Sequence, residues 1–290
     1  LKIALVQYRP AIRLFKWATV LRSIGHHVTV FSSMPPVKGL PFNRFPAAHL
    51  DTVNRYTGFD VMVSFNPCTR FSIPDSDIPT VQAIGDLAGM YTGKDTMKVA
   101  IECAAIAAAT AITYVSRRQM LEGQRLYAVN DNTSVIYNAT LSEMIGEHYA
   151  GDRQGIVYMG TLTGIIAHHR NVTDALLQHG HLHGYPVHVY PSAITNVPLP
   201  MIEDDRFRVH YTVSPYHLIG ELSLYKRGII EINSNDIARV MMPNKLFDYL
   251  NAGLEVECPN NMKAIMEEVN TAPMRFDEQA AKIDSIVSGR

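Results

Sequence analysis

The sequence predicts an α/β protein of two doubly wound, parallel-sheet halves that face each other across a cleft. Three features predict it: a strand–helix–strand unit in the first thirty residues, an alternation of strands and helices that continues to about residue 137, and a similar second cycle beginning at Gly155. Length agrees, because 290 residues exceed what one hydrophobic core usually serves.

Taken in order, Lys2 to Val6 is an apolar, buried-type strand. Leu14, Trp17, Ala18, Leu21 and Ile24 then recur at helical spacing until Gly25, and Val28 to Phe31 is β-branched and aromatic. Further strands are expected at 59–64, 79–84, 112–115 and 134–137, with an Ala-rich helix over about 95–110. Residues 139–153 lose the rhythm and read as a hinge. The second cycle runs through a strand at 155–160, a helix at 171–183, strands at 186–190 and 208–212, and a helix at 216–224. A strand at 228–232, a helix at 244–252 stopped by Gly253, a strand at 254–257 and a helical tail complete it. The expected division is 1–140, a hinge at 141–154, a second domain at 155–275, and a tail at 276–290 packing back on the first domain.

Composition excludes several classes. Hydrophobic residues make up 47% and charged residues 18%, which rules out a disordered or fibrous chain. Twenty-six Lys plus Arg nearly cancel 27 Asp plus Glu, so any polyanion site is local, and DNA is possible but not a favoured partner. Cys68, Cys103 and Cys258 lack any C-x-x-C pairing, which argues against both a disulfide framework and a zinc site and for a cytoplasmic location. The first residues are too short an apolar run for a signal peptide, and residues 99–115 carry Glu102 and fall short of a membrane span. Only peripheral membrane contact is left open.

Four segments together resemble glycosyltransferases of the GT-B fold. Val20 to Val30, with Gly25-His26-His27-Val28-Thr29-Val30, is similar to the "LxxxGHxVTV" entry to the second strand. Ala111 to Ser116 with Val135 to Ala139 resembles the "AxxVSxx…VxxxNG" close of the first domain, Ala139 replacing the glycine. Tyr158-Met159-Gly160-Thr161 with His169-Arg170-Asn171 resembles the "YxGxxxxxKN" start of the donor domain. The most specific is Pro243 to Leu254, similar to the "PxKxxEYLAAGxP" donor-site helix. The resemblance implies two Rossmann-like domains and transfer of a sugar from a nucleotide-diphosphate donor, most simply a UDP-sugar, to a hydroxyl acceptor such as a glycan or lipid-linked sugar. It implies no metal or further cofactor.

It also implies roles. Lys245 matches the cation near the donor phosphates, at a helix start that itself favours anions; the alternative is a solvated helix-end lysine. Leu246 follows it in the motif. Arg170 matches the basic residue after the first donor-domain strand, and Gly160 allows close backbone approach. Thr161 stands where relatives often carry a second basic residue, a function that Arg239 is a candidate to supply. Asp248 matches the carboxylate that accepts hydrogen bonds from ribose; the alternative is an exposed i,i+3 partner of Lys245. Val240 replaces the glutamate that many retaining members carry eight residues earlier, so the chain is closer to the divergent P-x-K branch.

A hydroxyl acceptor needs a general base at the carboxyl end of a strand in the first domain, and Asp86, in Ile84-Gly85-Asp86-Leu87, qualifies. Its alternative is a turn or helix N-cap aspartate, and His26, His27, His168 and His169 are the competing bases. His179, His181 and His183 form an H-x-H-x-H run with no local carboxylate or cysteine to complete a metal site. Arg13, Lys16 and Arg22 read as a solvated basic face behind the Trp17 core stripe; the alternative is contact with an anionic acceptor or a lipid surface. An epimerase or hydrolase acting on nucleotide sugars, a DNA glucosyltransferase and a non-catalytic partner subunit are the competing functions. No G-x-G-x-x-G follows the first strand, so a dinucleotide oxidoreductase is disfavoured.

Overall fold

The computed structural model describes residues 1–37, 39–50, 56–66, 78–90, 96–127, 131–160, 172–191, 205–211, 213–232 and 235–289. They form two sheets, both parallel throughout. The first contains β1 (Lys2–Val6), β2 (His27–Ser32), β3 (Ala47–His49), β4 (Val61–Phe65), β5 (Thr80–Ala83), β6 (Ala111–Tyr114) and β7 (Thr133–Val135), in the order β3-β2-β1-β4-β5-β6-β7. The second contains β8 (Ile156–Gly160), β9 (Val187–Pro191), β10 (Phe207–Val209), β11 (Arg227–Ile229) and β12 (Glu255–Glu257), in the order β10-β9-β8-β11-β12. The expected class is therefore the observed one.

In both sheets the chain starts in the interior and winds outward in two directions, so the order reverses beside the first strand. These switch points lie between β1 and β4 and between β8 and β11. Loops leaving neighbouring strands part company there, which opens the crevice where such sheets bind ligands.

Helices α1 (Ile12–Ser23), α2 (Thr96–Ala108), α3 (Arg117–Leu126), α4 (Thr173–His183), α5 (Pro215–Leu222), α6 (Asn235–Ala238), α7 (Asn244–Asn251), α8 (Lys263–Val269) and α9 (Ala280–Ser288) connect and cover the strands. Four residues of the α1 stripe are as the spacing predicts: Leu14, Trp17, Ala18 and Leu21 are fully buried, and Trp17 meets Phe65 edge-on at 5.8 Å between ring centroids, whereas Ile24, just past the helix end, is exposed. The solvated basic face is not as expected. Arg13 and Lys16 are buried, and only Arg22 is exposed: Lys16 is covered by α7 from the second half of the chain, and Arg13 lies beside the Gly85–Asp86 loop.

Helix α3 has no counterpart in the periodicity. It is started by Ser116, whose hydroxyl accepts from the Gln119 N–H at 2.9 Å. Helix α9 lies against α1, where His26 meets Asp284 at 2.9 Å, and Gln279 closes on both backbone groups of Tyr137. Among the described residues no helix is long and apolar enough to cross a membrane.

Candidate active site

At the second switch point β8 ends in Gly160, whose φ of +144° is a conformation that side-chain-bearing residues rarely adopt. Where β8 and β11 stop pairing, Tyr249 of α7 spans them: its hydroxyl accepts from the Met159 N–H (2.8 Å) and donates to the Ile229 carbonyl (3.2 Å). Gly228 makes room, since a Cβ there would stand 2.6 Å from the Tyr249 ring. This anchorage fixes the amino end of α7 beside the strand end.

Lys245, in the first turn of α7, is partly buried rather than solvated. Its Nζ donates to the Met159 carbonyl (3.2 Å), lies 4.4 Å from the Tyr158 ring centroid, and stands 3.4 Å from where a Cβ on Gly160 would sit. Burial lowers its pKa to about 8, against the opposing pull of Glu231. Leu246 is a core residue, and its N–H donates to the Pro243 carbonyl. Arg239 is exposed just after α6. Thr161, Arg170, His168 and His169 lie outside the described residues.

The other face of α7 meets the first domain. Lys16 Nζ donates to Asn244 Oδ1 and to the Asn138 carbonyl, both at 2.9 Å, and Asn138 Nδ2 donates to the Met242 carbonyl. Asp248 Oδ1 accepts from Thr140 Oγ1 at 2.7 Å. Burial raises the Asp248 pKa, while Lys16 and Thr140 act to lower it. Asp248 is thus neither an exposed surface charge nor turned toward solvent; its charged neighbour is Lys16.

Asp86 is exposed on the loop after β5, and that loop is held from four sides. Asn66, itself left-handed at φ 48°, accepts from the Gly85 N–H at 2.7 Å, and Gln119 Nε2 donates to the Gly85 carbonyl at 2.7 Å. Glu102 accepts from the Ala88 N–H and Tyr127 Oη from the Gly89 N–H, and Tyr127 and Glu102 are bonded to each other. Burial raises the Glu102 pKa to about 7.

Arg13, expected on a solvated face, is buried instead. It is 7% exposed, none of its three guanidinium nitrogens has a hydrogen-bond partner, and the charge nearest in effect is Asp86. Desolvation lowers its pKa to about 9. A buried guanidinium without a partner is costly and favours an incoming anion. The only signal was its position one turn before Lys16 at the start of α1.

His26 bonds Asp284 and the amino terminus, and His27 is exposed rather than packed in the core. Cys103 and Cys258 are free thiols, and Cys68 lies outside the described residues. An open pocket of about 360 Å³ between Gly39, Leu40, Pro41, Arg44 and Tyr216 holds none of the residues named above.

No family model matches the sequence, and no curated protein does. Solved structures do. Sucrose-phosphate synthase from Thermosynechococcus elongatus is similar over 99% of this chain and 96% of its own, with a TM-score of 0.63 at 8% identity. Anabaena HepE in complex with UDP is similar over 99% of this chain and 90% of its own, with a TM-score of 0.64 at 10% identity. UDP-GlcNAc 2-epimerase from Methanocaldococcus jannaschii is similar over 98% of this chain and 99% of its own, with a TM-score of 0.54 at 7% identity. The chain has the GT-B fold. Lys16 joins the two halves of that fold, reaching from α1 to the first residue of α7.

Proposed function

We propose that this GT-B chain is a cytoplasmic glycosyltransferase that moves a sugar from a UDP-sugar to a hydroxyl acceptor, residues 1–140 serving the acceptor and 155–275 the donor. One observation carries the reading: a partly buried Lys245 sits over the glycine that ends β8, at one switch point, while Arg13 and Asp86 stand at the other. Anabaena HepE, solved with UDP and with UDP-glucose, adds support through its similar fold.

In this reading the donor diphosphate rests on Lys245 and the backbone at Gly160, with Arg170, Thr161 and Arg239 as further phosphate contacts. As the bond from the anomeric carbon to the diphosphate breaks, charge grows on the leaving oxygen, and a cation aimed there stabilises the transition state more than the ground state. The acceptor hydroxyl attacks the anomeric carbon and gives its proton to Asp86, and UDP departs. Asp248 meets the ribose only if it exchanges Thr140 for a sugar hydroxyl. A nucleotide-sugar epimerase is the second reading, favoured by the similar fold of the archaeal epimerase.

Calorimetry with UDP, GDP and dTDP, followed by turnover of the matching sugar nucleotide, tests the proposal. UDP is expected to bind, and Asp86→Asn is expected to keep that binding while transfer and slow donor hydrolysis fall at least about a hundredfold. A chain that binds none of the three nucleotides ends the reading. Epimerised donor without transfer selects the second one, and an Asp86→Asn variant turning over at the parental rate removes Asp86 as base.

A further inference from the structure

We infer that the second domain holds a zinc site, with His179, His183 and Glu257 as ligands and Glu231 as the carboxylate that orients His179. It is independent of the proposed transferase chemistry, and it reverses the expectation that the histidine run lacks a carboxylate. The carboxylates arrive from distant sequence.

Helix α4 places His179 and His183 one turn apart on one face. Gly180 lets that helix sit low on the sheet, since a Cβ there would come within 2.7 Å of Val187 Cγ2. Glu257, the last residue of β12, reaches the same point from below. Its Oε1 is 2.9 Å from His183 Nε2, and its Oε2 is 3.2 Å from His179 Nδ1. The three groups offer ligand atoms that all lie within 4.8 Å of one another. Zinc bonds of about 2.0–2.2 Å in a tetrahedron require ligand atoms roughly 3.3–3.5 Å apart, so small side-chain rotations suffice.

The deciding detail is His179. Its Nε2 lies 3.0 Å from Glu231 Oε1, the arrangement in which an imidazole N–H is given to an outer carboxylate. In the neutral ring that leaves Nδ1 as the free lone pair. This atom is buried, has no hydrogen-bond partner, and faces the Glu257 carboxylate. Two groups so placed need a positive charge between them, a proton on Nδ1 or a metal ion, and the second imidazole on the same carboxylate completes a ligand set for the metal.

Charge agrees. Around the histidines stand Glu231, Glu257 and Arg227, two negative groups against one positive, and Glu255, the other partner of Arg227, is mostly exposed. Two imidazoles and one carboxylate suit zinc rather than magnesium, which prefers an all-oxygen octahedron, and a water completes the fourth position. His181 lies outside the set, exposed and beside Arg206. The ion would pin the last turn of α4 to β12 and hold Glu231, the carboxylate that acts on Lys245.

The test uses the full, untagged chain, stripped with chelator and titrated with Zn²⁺ or Mg²⁺ against a chromogenic zinc indicator, with thermal unfolding followed in parallel. One zinc per chain and a raised Tm are expected, with no response to magnesium. Substituted Co²⁺ should give the visible absorption of a four-coordinate ion. His183→Gln and Glu257→Gln should each weaken zinc by at least about a hundredfold, Glu231→Gln by about 10- to 100-fold, and His181→Ala not at all. Circular dichroism of each stripped variant separates lost binding from lost folding, and the near-isosteric Glu231→Gln tests the outer carboxylate should a ligand variant not fold. Absence of stoichiometric zinc overturns the site in favour of a doubly protonated His179 bridging two glutamates. Zinc binding unaffected by His183→Gln and Glu231→Gln overturns it in favour of ligands elsewhere.

Discussion

The seam between the domains and the outer flank of the second sheet are both built from charges, yet water reaches them differently. At the seam Lys16 is 1% exposed and Asp248 faces it from α7, while Asn138, Thr140 and Asn244 supply the remaining hydrogen bonds. On the flank Arg227, Glu257, His179 and His183 keep 22–26% of their side chains exposed, and Glu255 keeps 58%. Burial dominates at the seam and lowers the pKa of Lys16 to about 8 despite Asp248. On the flank direct pairing wins: the Arg227 pKa is raised, by its hydrogen bond to Glu257 first. A buried charge left alone cannot hydrate, whereas a flank charge left alone can.

Removing the seam cation should therefore have the largest effect. Lys16→Ala leaves Asp248 as a partly buried carboxylate with only Thr140, and strands Asn244 Oδ1 and the Asn138 carbonyl. The expected loss is about 3–5 kcal/mol in urea unfolding at pH 7. Lys16→Met refills the volume and isolates the charge effect. The folded-state pKa of Asp248 is raised, so the native state binds the extra proton and stability falls as pH rises above the ordinary carboxylate range. The Lys16→Met deficit should accordingly be smallest in acid. A deficit independent of pH would show that packing, not charge, makes the seam.

Lys245 tests the same contrast at the donor end. Its pKa of about 8 means that the charge needed for a diphosphate is lost as pH rises through that value. Between about pH 7, above the second phosphate pKa of UDP, and pH 8 wild-type affinity should be steady, declining at higher pH with proton uptake on binding near pH 8, whereas Lys245→Arg should stay flat over that range. Lys245→Met should weaken UDP by about 1.5–3 kcal/mol, roughly ten- to a hundredfold. Titration calorimetry across this range reads both, and a flat wild-type profile would detach Lys245 from the phosphate.

How much of this was legible in the sequence follows the same divide. Periodicity and glycine stops located β1, α1, β2, β8, α4 and α7 closely, because apolar spacing reports burial against a sheet. The same rule failed for Arg13 and Lys16. A helical wheel assigns every charge on the far face to water, and it does not know that the Gly85–Asp86 loop covers Arg13 or that α7 covers Lys16. The P-x-K motif found the turn bearing Lys245 but not the partner of Asp248, which is Thr140, 108 residues away. Glu257 and Glu231 were invisible beside the histidine run for the same reason, since a parallel sheet brings together strand ends that are far apart in the chain. Helix α3 was missed because it is amphipathic but polar, and its start is signalled by one serine.

The smallest effect is expected on the flank. Arg227→Ala removes one pairing to Glu257 and one to Glu255, but Glu255 is open to solvent and Glu257 keeps His183. Water and salt screen what is lost, so the chelated protein should lose about 1 kcal/mol or less, and less again at high ionic strength. The variant also bears on the metal. With the guanidinium gone, Glu257 has no cation competing for its oxygens, so zinc should bind at least as tightly as in the parent. A loss as large as that of Lys16→Ala would mean that the flank is held by its ion pairs as firmly as the seam, and exposure would no longer explain the difference between them.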